Sequence, residues 1–294
     1  MNMWRALIVL TITGCAGRST PPVTQPPQGT GADAVYYIYV GAESADLLHR
    51  IRLGPSGMDL DQTTPVGEMA VETEGPHGLN VSPDGGHLYM TTAHGVPDGK
   101  LWKFHAGPDT LVAQPILLGN FPATLDLTPD GLYAFIVNFN LHGEHVPSTV
   151  SVVYTPDLVE VDQIPTCTMP HGLRMAKDGL FVYSNCMMDD QLVEIDTRTF
   201  EVSRRFSVTT GSEAALFDYQ VQEVVTGARG ITRPLESLSA REPMEPTCSP
   251  TWAQPTPDGR SIFVACNKSN EILVIDRENW ALERKMSVPG GPYN

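Results

Sequence analysis

The sequence predicts an all-β fold, and three observations support this. Short runs of β-forming residues recur through residues 35–294, whereas no long amphipathic helical pattern is present. Asp-Gly pairs, which favour tight turns between strands, separate many of these runs; they begin at Asp84, Asp130, Asp178 and Asp258. The first three pairs are spaced by 46 and 48 residues (84 to 130 and 130 to 178), which indicates a repeated unit.

A period in the forties with about four strands per unit predicts a β-propeller. In the unit that begins at Met169 we assign the strands PHGLRMA, LFVYSNC, QLVEIDT and EVSRRFSV, which run from the central channel to the rim. The same order fits Pro76 to Gly119, Pro122 to Pro165 and Pro250 to Val288. The predicted fold class is therefore an all-β propeller of four-stranded blades, with the propeller domain at residues 35–294.

The chain before the repeats predicts export. Within residues 1–15, Arg5 is followed by an apolar run that is too short to span a membrane. This pattern is typical of an export signal. The ending Ile12-Thr13-Gly14-Cys15 resembles the lipobox of bacterial lipoproteins, which implies lipidation of Cys15; an ordinary secretory signal is the alternative. Residues 16–34 are rich in Pro, Gly, Ser and Thr and predict a disordered tether. We expect a periplasmic or cell-surface lipoprotein, anchored in the outer membrane.

The repeated sequences PHGLNVSPDGGHLYMTT and FPATLDLTPDGLYAFIVNF resemble the YVTN-type repeats of YncE-like β-propellers. These are exported bacterial proteins, usually built from seven blades, and their superfamily includes lactonase-like propellers and those of nitrous-oxide and haem d1 nitrite reductases. The resemblance covers residue 35 to the end. It implies the fold more than the function, because propellers carry many unrelated activities.

Two features depart from the pattern of that family. A leading unit from Tyr36 to about Val71 lacks an inner strand, four full units follow, and residues 289–294 look like the opening of another inner strand. We therefore expect about five blades truncated from a seven-bladed parent, with a closed five-bladed ring as the alternative. The second departure is a predicted insertion at residues 209–245, either a functional lid or a disordered loop.

Apart from Cys15, the cysteines form two equivalent pairs, Cys167 with Cys186 and Cys248 with Cys266. In each pair the first cysteine precedes an inner strand and the second ends the next strand, so a hairpin brings them together. Two intra-blade disulfides are one interpretation, since an oxidising periplasm favours them. Thiolate ligands of a metal are the other, and the sequence leaves both open.

Histidines occupy the same end of the blades as the cysteines. His77 and His171 share a Pro-His-Gly motif, whereas His94 and His142 follow second strands, as Cys186 does. Such residues would line one mouth of the central channel, and their soft and borderline donors match copper best. The candidate metal ligands are His77, His94, His142, His171, Cys186 and Met187. Hydrogen-bonded structural histidines are the alternative.

Composition and motifs reduce the number of functions that the sequence allows. With 19 Lys and Arg against 34 Asp and Glu and a net charge of −15, the chain is not expected to bind nucleic acid. The leading prediction is a protein that binds a small molecule or a protein partner at its channel mouth, and that meets the membrane only through its lipid anchor. The alternatives are a copper-dependent redox protein and a lactonase-like hydrolase. Carboxylates for the hydrolase would come from Asp126, Glu144, Asp189 and Asp190.

Overall fold

A computed structural model describes residues 33–69, 71–94, 98–216 and 245–294. These residues form five antiparallel sheets that pack against one another in chain order, as the blades of a β-propeller do. The predicted signal peptide at 1–15, nearly all of the predicted tether at 16–34 and residues 217–244 of the predicted insertion lie outside the described residues. Within the described ranges, no helix has the length and apolar character needed to cross a membrane.

The first sheet contains three strands, in agreement with the predicted leading unit that lacks an inner strand. They are β1 (Tyr36–Ala42), β2 (Leu47–Gly54) and β3 (Gly57–Pro65). A single 3₁₀ turn, Glu43–Ala45, joins β1 to β2, and Asp46 ends it in the left-handed conformation with φ of 48°. This turn places Glu43 at the end of β1 that faces the second sheet.

The other four sheets start at an inner strand and continue outward. The second sheet consists of β4 (Pro76–Val81), β5 (His87–Thr92), β6 (Lys100–His105), β7 (Thr110–Leu111) and β8 (Ile116–Leu117). The third consists of β9 (Pro122–Leu127), β10 (Tyr133–Asn138), β11 (Pro147–Tyr154) and β12 (Val159–Thr168). The fourth consists of β13 (Pro170–Met175), β14 (Phe181–Cys186), β15 (Gln191–Asp196), β16 (Glu201–Ser207) and β17 (Ala214–Leu216). The fifth consists of β18 (Pro250–Pro255), β19 (Ser261–Cys266), β20 (Glu271–Asp276) and β21 (Ala281–Ser287).

The predicted order of strands from channel to rim is confirmed in these four units. Two details differ from the prediction. In the second sheet the fourth strand is split into β7 and β8, which both pair with β6. In the fourth sheet the predicted insertion begins by adding β17 to the edge of β16.

Four apolar cores lie between the five sheets, one at each contact between successive blades. The core between the third and fourth sheets contains Phe135, Val150, Leu173 and Val193, all fully buried. Burying each such side chain stabilises the fold by about 1.5 to 3 kcal/mol. These cores hold the inner strands β4, β9, β13 and β18 side by side, so that their first residues meet at one end.

Both cysteine pairs form disulfides, but Cys167 lies on β12 of the third sheet, so its bond joins two blades and is not the intra-blade bond that was expected. Cys167 is bonded to Cys186 with a Cα–Cα distance of 5.7 Å, and Cys248 to Cys266 with a distance of 4.6 Å. All four side chains are fully buried. The sulfur of Cys186 is therefore not a free thiolate, which corrects its assignment as a metal ligand.

Candidate functional site

The inner strands begin in one common way, with a proline that follows a residue in the left-handed conformation. The φ angles of these preceding residues are 66° at Gly75, 52° at Phe121, 53° at Met169 and 48° at Ser249. We call the residue after each proline the slot residue; the slot residues are His77, Ala123, His171 and Thr251. Because the four inner strands adjoin, the slot residues lie in a row at one end of the propeller.

The two slot histidines each tie one blade to the next. Nδ1 of His77 lies 2.9 Å from the carbonyl oxygen of Ala123, and Nδ1 of His171 lies 3.2 Å from that of Thr251. A carbonyl only accepts, so in both histidines Nδ1 carries the proton. The glycine of the motif makes room for this carbonyl, since a Cβ at Gly172 would lie 2.3 Å from the Thr251 oxygen. The Pro-His-Gly motif is thus a hydrogen-bonding unit between inner strands.

Tyr293 occupies a fifth slot. It follows Pro292, and the residue before this proline, Gly291, has φ of 55°. The hydroxyl of Thr251 donates to the Tyr293 carbonyl at 2.5 Å, as His171 donates to Thr251. These contacts place the segment beside β18, but residues 291–294 form no strand, and the expectation that they open another inner strand stays a prediction.

Around the slot residues, seven rings pack together, and we call them the mouth cluster. They are His77, His94, Phe121, Phe139, His142, His171 and Tyr293. Phe121 lies at the centre, with ring centroids 5.2 Å from His77, 4.9 Å from His94 and 5.4 Å from His142. The edge-to-face geometry of most of these pairs is the one that aromatic rings favour. Phe121 is buried, so it fixes the positions of the imidazoles around it.

His171 is the buried end of the mouth cluster, with 2% of its surface exposed. Burial lowers the pKa of His171 to about 4, the carbonyl of Thr251 opposes this shift, and His77 adds to it. The ring is therefore neutral at neutral pH. Because Nδ1 carries the proton, Nε2 accepts a hydrogen bond from the Tyr293 hydroxyl at 2.8 Å. The pKa of Tyr293 is raised by burial and by the charge of Glu43.

The exposed end of the mouth cluster is a chain of three hydrogen-bonded side chains. Oε1 of Glu43 lies 2.8 Å from Nε2 of His94, and Nδ1 of His94 lies 3.2 Å from Nε2 of His142. The side chain of His94 is 34% exposed, and His142 lies on the exposed loop between β10 and β11. Three different sheets or their connections supply these groups, so the chain exists only in the folded molecule.

A cleft adjoins this chain on the side of the first sheet. Glu43, Ser44, Glu72, Thr73 and His94 line it, and its volume is about 690 Å³. The cleft is largely open to solvent, and polar residues line it. Glu43 and His94 belong to both features, so a molecule in the cleft would contact the mouth cluster.

The structure brings four of the predicted ligand residues together: His77, His94, His142 and His171. Met187 packs instead against the core between the third and fourth sheets. Within the described ranges, no group of three or more His, Cys, Asp or Glu residues is arranged to hold a metal ion. We assign none of these residues as a ligand, and the copper site stays a prediction from the sequence.

Three of the four carboxylates that the sequence suggested for a hydrolase accept hydrogen bonds from the backbone and so fix its position. Asp190 accepts hydrogen bonds from the backbone N–H groups of residues 247–249. Asp126 accepts one from the N–H of Met175, and Asp189 accepts one from the N–H of Thr168. Glu144 lies on the exposed loop that carries His142. The carboxylate in contact with the mouth cluster is Glu43, which the sequence reasoning missed.

Tyr293 and Phe121 were also missed as members of the site. A signal for both was present, because Phe121-Pro122 and Gly291-Pro292-Tyr293 match the Gly75-Pro76-His77 pattern. For Glu43 no motif exists, since it lies in a turn of the first, incomplete unit.

Comparison with solved structures shows what the fold resembles. A functionally unknown protein from Desulfotomaculum acetoxidans DSM 771 matches with a TM-score of 0.57 at 10% identity, over 86% of this chain and 69% of that one. Hydrazine synthase from Kuenenia stuttgartiensis matches with 0.50 at 12%, over 87% and 84%. A streptogramin B lyase, a β-propeller, matches with 0.58 at 14%, over 86% and 65%.

These likenesses show the β-propeller fold alone, because each identity is low. No family model and no curated protein matches the chain. Membership in the YncE-like family therefore stays a prediction.

Proposed function

We propose that this propeller binds a small planar molecule, neutral or positively charged, at the mouth cluster and the adjoining cleft. The observation that carries the proposal is the position of His94. This half-exposed imidazole packs on Phe121 on one side and lines the cleft of about 690 Å³ on the other. A ligand in the cleft would therefore meet rings as well as polar groups, as ligands do in most small-molecule sites.

The rings favour a planar ligand. Aromatic side chains and imidazoles interact with flat molecules through stacked or edge-to-face contacts, and each such pair adds about 0.5 to 1.5 kcal/mol beyond the buried area. His77, His94, His142 and Tyr293 are the members of the mouth cluster that solvent reaches. They are the groups that a ligand would cover.

The charges disfavour an anion. Two carboxylates, Glu43 and Glu72, line the cleft, and the chain as a whole carries a net charge of −15. Like charges in a partly enclosed site raise the free energy of a bound anion, whereas a cation or a neutral donor gains from the same groups.

Two probes of one size and opposite charge test the proposal. Benzamidine is a planar cation and benzoate is a planar anion, and calorimetric titration measures the binding of each. We expect benzamidine to bind and benzoate not to bind. The variant His94→Ala should weaken benzamidine binding at least tenfold, while His105→Ala, at the opposite end of the second sheet, should not change it. Equal binding to both variants, or no benzamidine binding to the native protein, would refute the proposal.

We also propose that the protein is exported and anchored through Cys15. The lipobox-like sequence before Cys15 supports this. The two disulfides are a second support, because such bonds persist in oxidising compartments. Expression with labelled palmitate should label the native chain and leave Cys15→Ser unlabelled; label on both chains would refute the anchor.

A further inference from the structure

The hydrogen-bonded chain at the mouth determines which imidazole nitrogens carry protons. An ionised carboxylate only accepts hydrogen bonds. An ionised Glu43 therefore receives its bond from Nε2–H of His94. When the His94 ring is neutral, one of its nitrogens donates and the other accepts, so Nδ1 is then an acceptor.

The same reasoning extends to the next ring. Nδ1 of His94 receives its bond from Nε2 of His142, so that nitrogen of His142 carries the proton. Nδ1 of His142 is then a lone-pair acceptor. His142 is exposed, so a ligand that covers the mouth cluster can reach this ring.

The neighbouring backbone keeps the two rings in place. A Cβ at Gly75 would lie 2.5 Å from Cδ2 of His94, so the absence of a side chain there leaves room for this ring. In the loop that carries His142, the amide of Asn140 donates to the carbonyl of Glu144 at 2.8 Å. Phe121 packs against both imidazoles.

We infer that the mouth selects planar ligands that carry an N–H or O–H donor, and that Nδ1 of His142 receives this donor. The inference rests on the proposed binding function and names its ligand class. An unconstrained histidine populates both tautomers, so it offers either a donor or an acceptor. Here Glu43, acting through His94, fixes the acceptor form. Glu43 and His94 are thus positioning residues, and His142 is the residue that determines specificity.

Indole and 1-methylindole test this inference, because both are planar and uncharged and only indole has an N–H donor. We expect the native protein to bind indole about tenfold more tightly, the ratio that one hydrogen bond supplies. His142→Phe keeps a ring at the position and removes the acceptor, so it should bind both probes equally. His105→Phe is the matched control and should keep the tenfold preference.

The outcomes separate this inference from the binding proposal. If the native protein binds both probes equally, or if His142→Phe keeps the preference, the donor-selective role of His142 is wrong while binding at the mouth stands. If neither probe binds, the inference and the binding proposal both fail. A second readout, the tautomer of His142 seen by nitrogen NMR, should shift in Glu43→Leu and not in Glu278→Gln, which removes a carboxylate at the opposite end of the fifth sheet.

Discussion

The second and fourth sheets share one backbone pairing at the mouth and complete it with different chemistry. In the second sheet, the N–H of His94 bonds to the carbonyl of Glu74; in the fourth, the N–H of Met188 bonds to that of Thr168. A buried disulfide between Cys167 of β12 and Cys186 of β14 lies beside this pairing and links the fourth sheet to the third. The second sheet instead has His94, which is half exposed and bonded to Glu43.

The difference divides the mouth into two parts. One disulfide joins β12 of the third sheet to β14 of the fourth, the other lies within the fifth unit, and all four cysteines are fully buried. In the second and third sheets, ionisable side chains hold the same end through hydrogen bonds. The covalent part serves stability, whereas the part made of histidines and Glu43 keeps polar groups in contact with solvent. A ligand site is expected in the second part.

Reduction of the disulfides should give the largest effect. Each bond closes a loop of 19 or 18 residues and is expected to stabilise the protein by about 3 kcal/mol, because it restricts the unfolded chain. A reducing agent should therefore lower the free energy of unfolding in urea by about 6 kcal/mol. A variant in which all four of these cysteines are alanine serves as the control, since its stability should not respond to the reductant. A native protein equally stable with and without reductant would contradict the structural role of these bonds.

Acid should destabilise the histidine part through His171, by a smaller amount. Its pKa is about 4 in the folded protein against 6.5 for the model imidazole, so the unfolded state binds more protons between these values. The free energy of unfolding should then fall as pH drops from 6.5 towards 4, by about 3 kcal/mol in total, and His171 should have no effect on the slope above 6.5. The groups that face the ring are His77, Phe139 and Tyr293.

Urea unfolding at a series of pH values measures this slope. His171→Gln should remove about 1.4 kcal/mol per pH unit from the slope between pH 5 and 6. Identical slopes in the two proteins would show that the histidine is not buried in its neutral form.

Gly75→Ala should lower the stability and cause a local loss of binding. Gly75 has φ of 66°, and an added Cβ would meet the ring of His94. Gly85 is the matched control, because its φ is 72° and nothing lies within 4 Å of its Cβ position. Both alanines strain the backbone by about 1 kcal/mol, and Gly75→Ala should cost about 1 to 3 kcal/mol more. Benzamidine binding should weaken only in Gly75→Ala; an equal response of both variants would show that the ring has room to move.

Much of the fold could be predicted because the same sequence signals for strands and turns recur in successive blades. The Pro-His-Gly motifs at His77 and His171 mark the start of inner strands, and the Asp-Gly turns mark the hairpins. The cysteine pairs could be located from their equivalent spacing, although Cys167 lies on the last strand of the third sheet and outside the hairpin that ends at Cys186. Whether they were disulfides or thiolates could not be decided from spacing alone.

The chain of Glu43, His94 and His142 could not be predicted, because it depends on how successive blades pack. His94 and His142 are 48 residues apart, and Glu43 lies in a turn without a motif. Periodicity places residues within a blade, but it does not give the side-chain distances between blades. The tautomers follow only from those distances.

Nitrogen-15 NMR of the histidine side chains shows whether the mouth holds its imidazoles in defined tautomers. With the rings neutral, we expect a proton on Nδ1 of His77 and His171 and on Nε2 of His94 and His142. A proton on Nδ1 of His94, or rapid exchange between both tautomers in all four rings, would contradict this expectation.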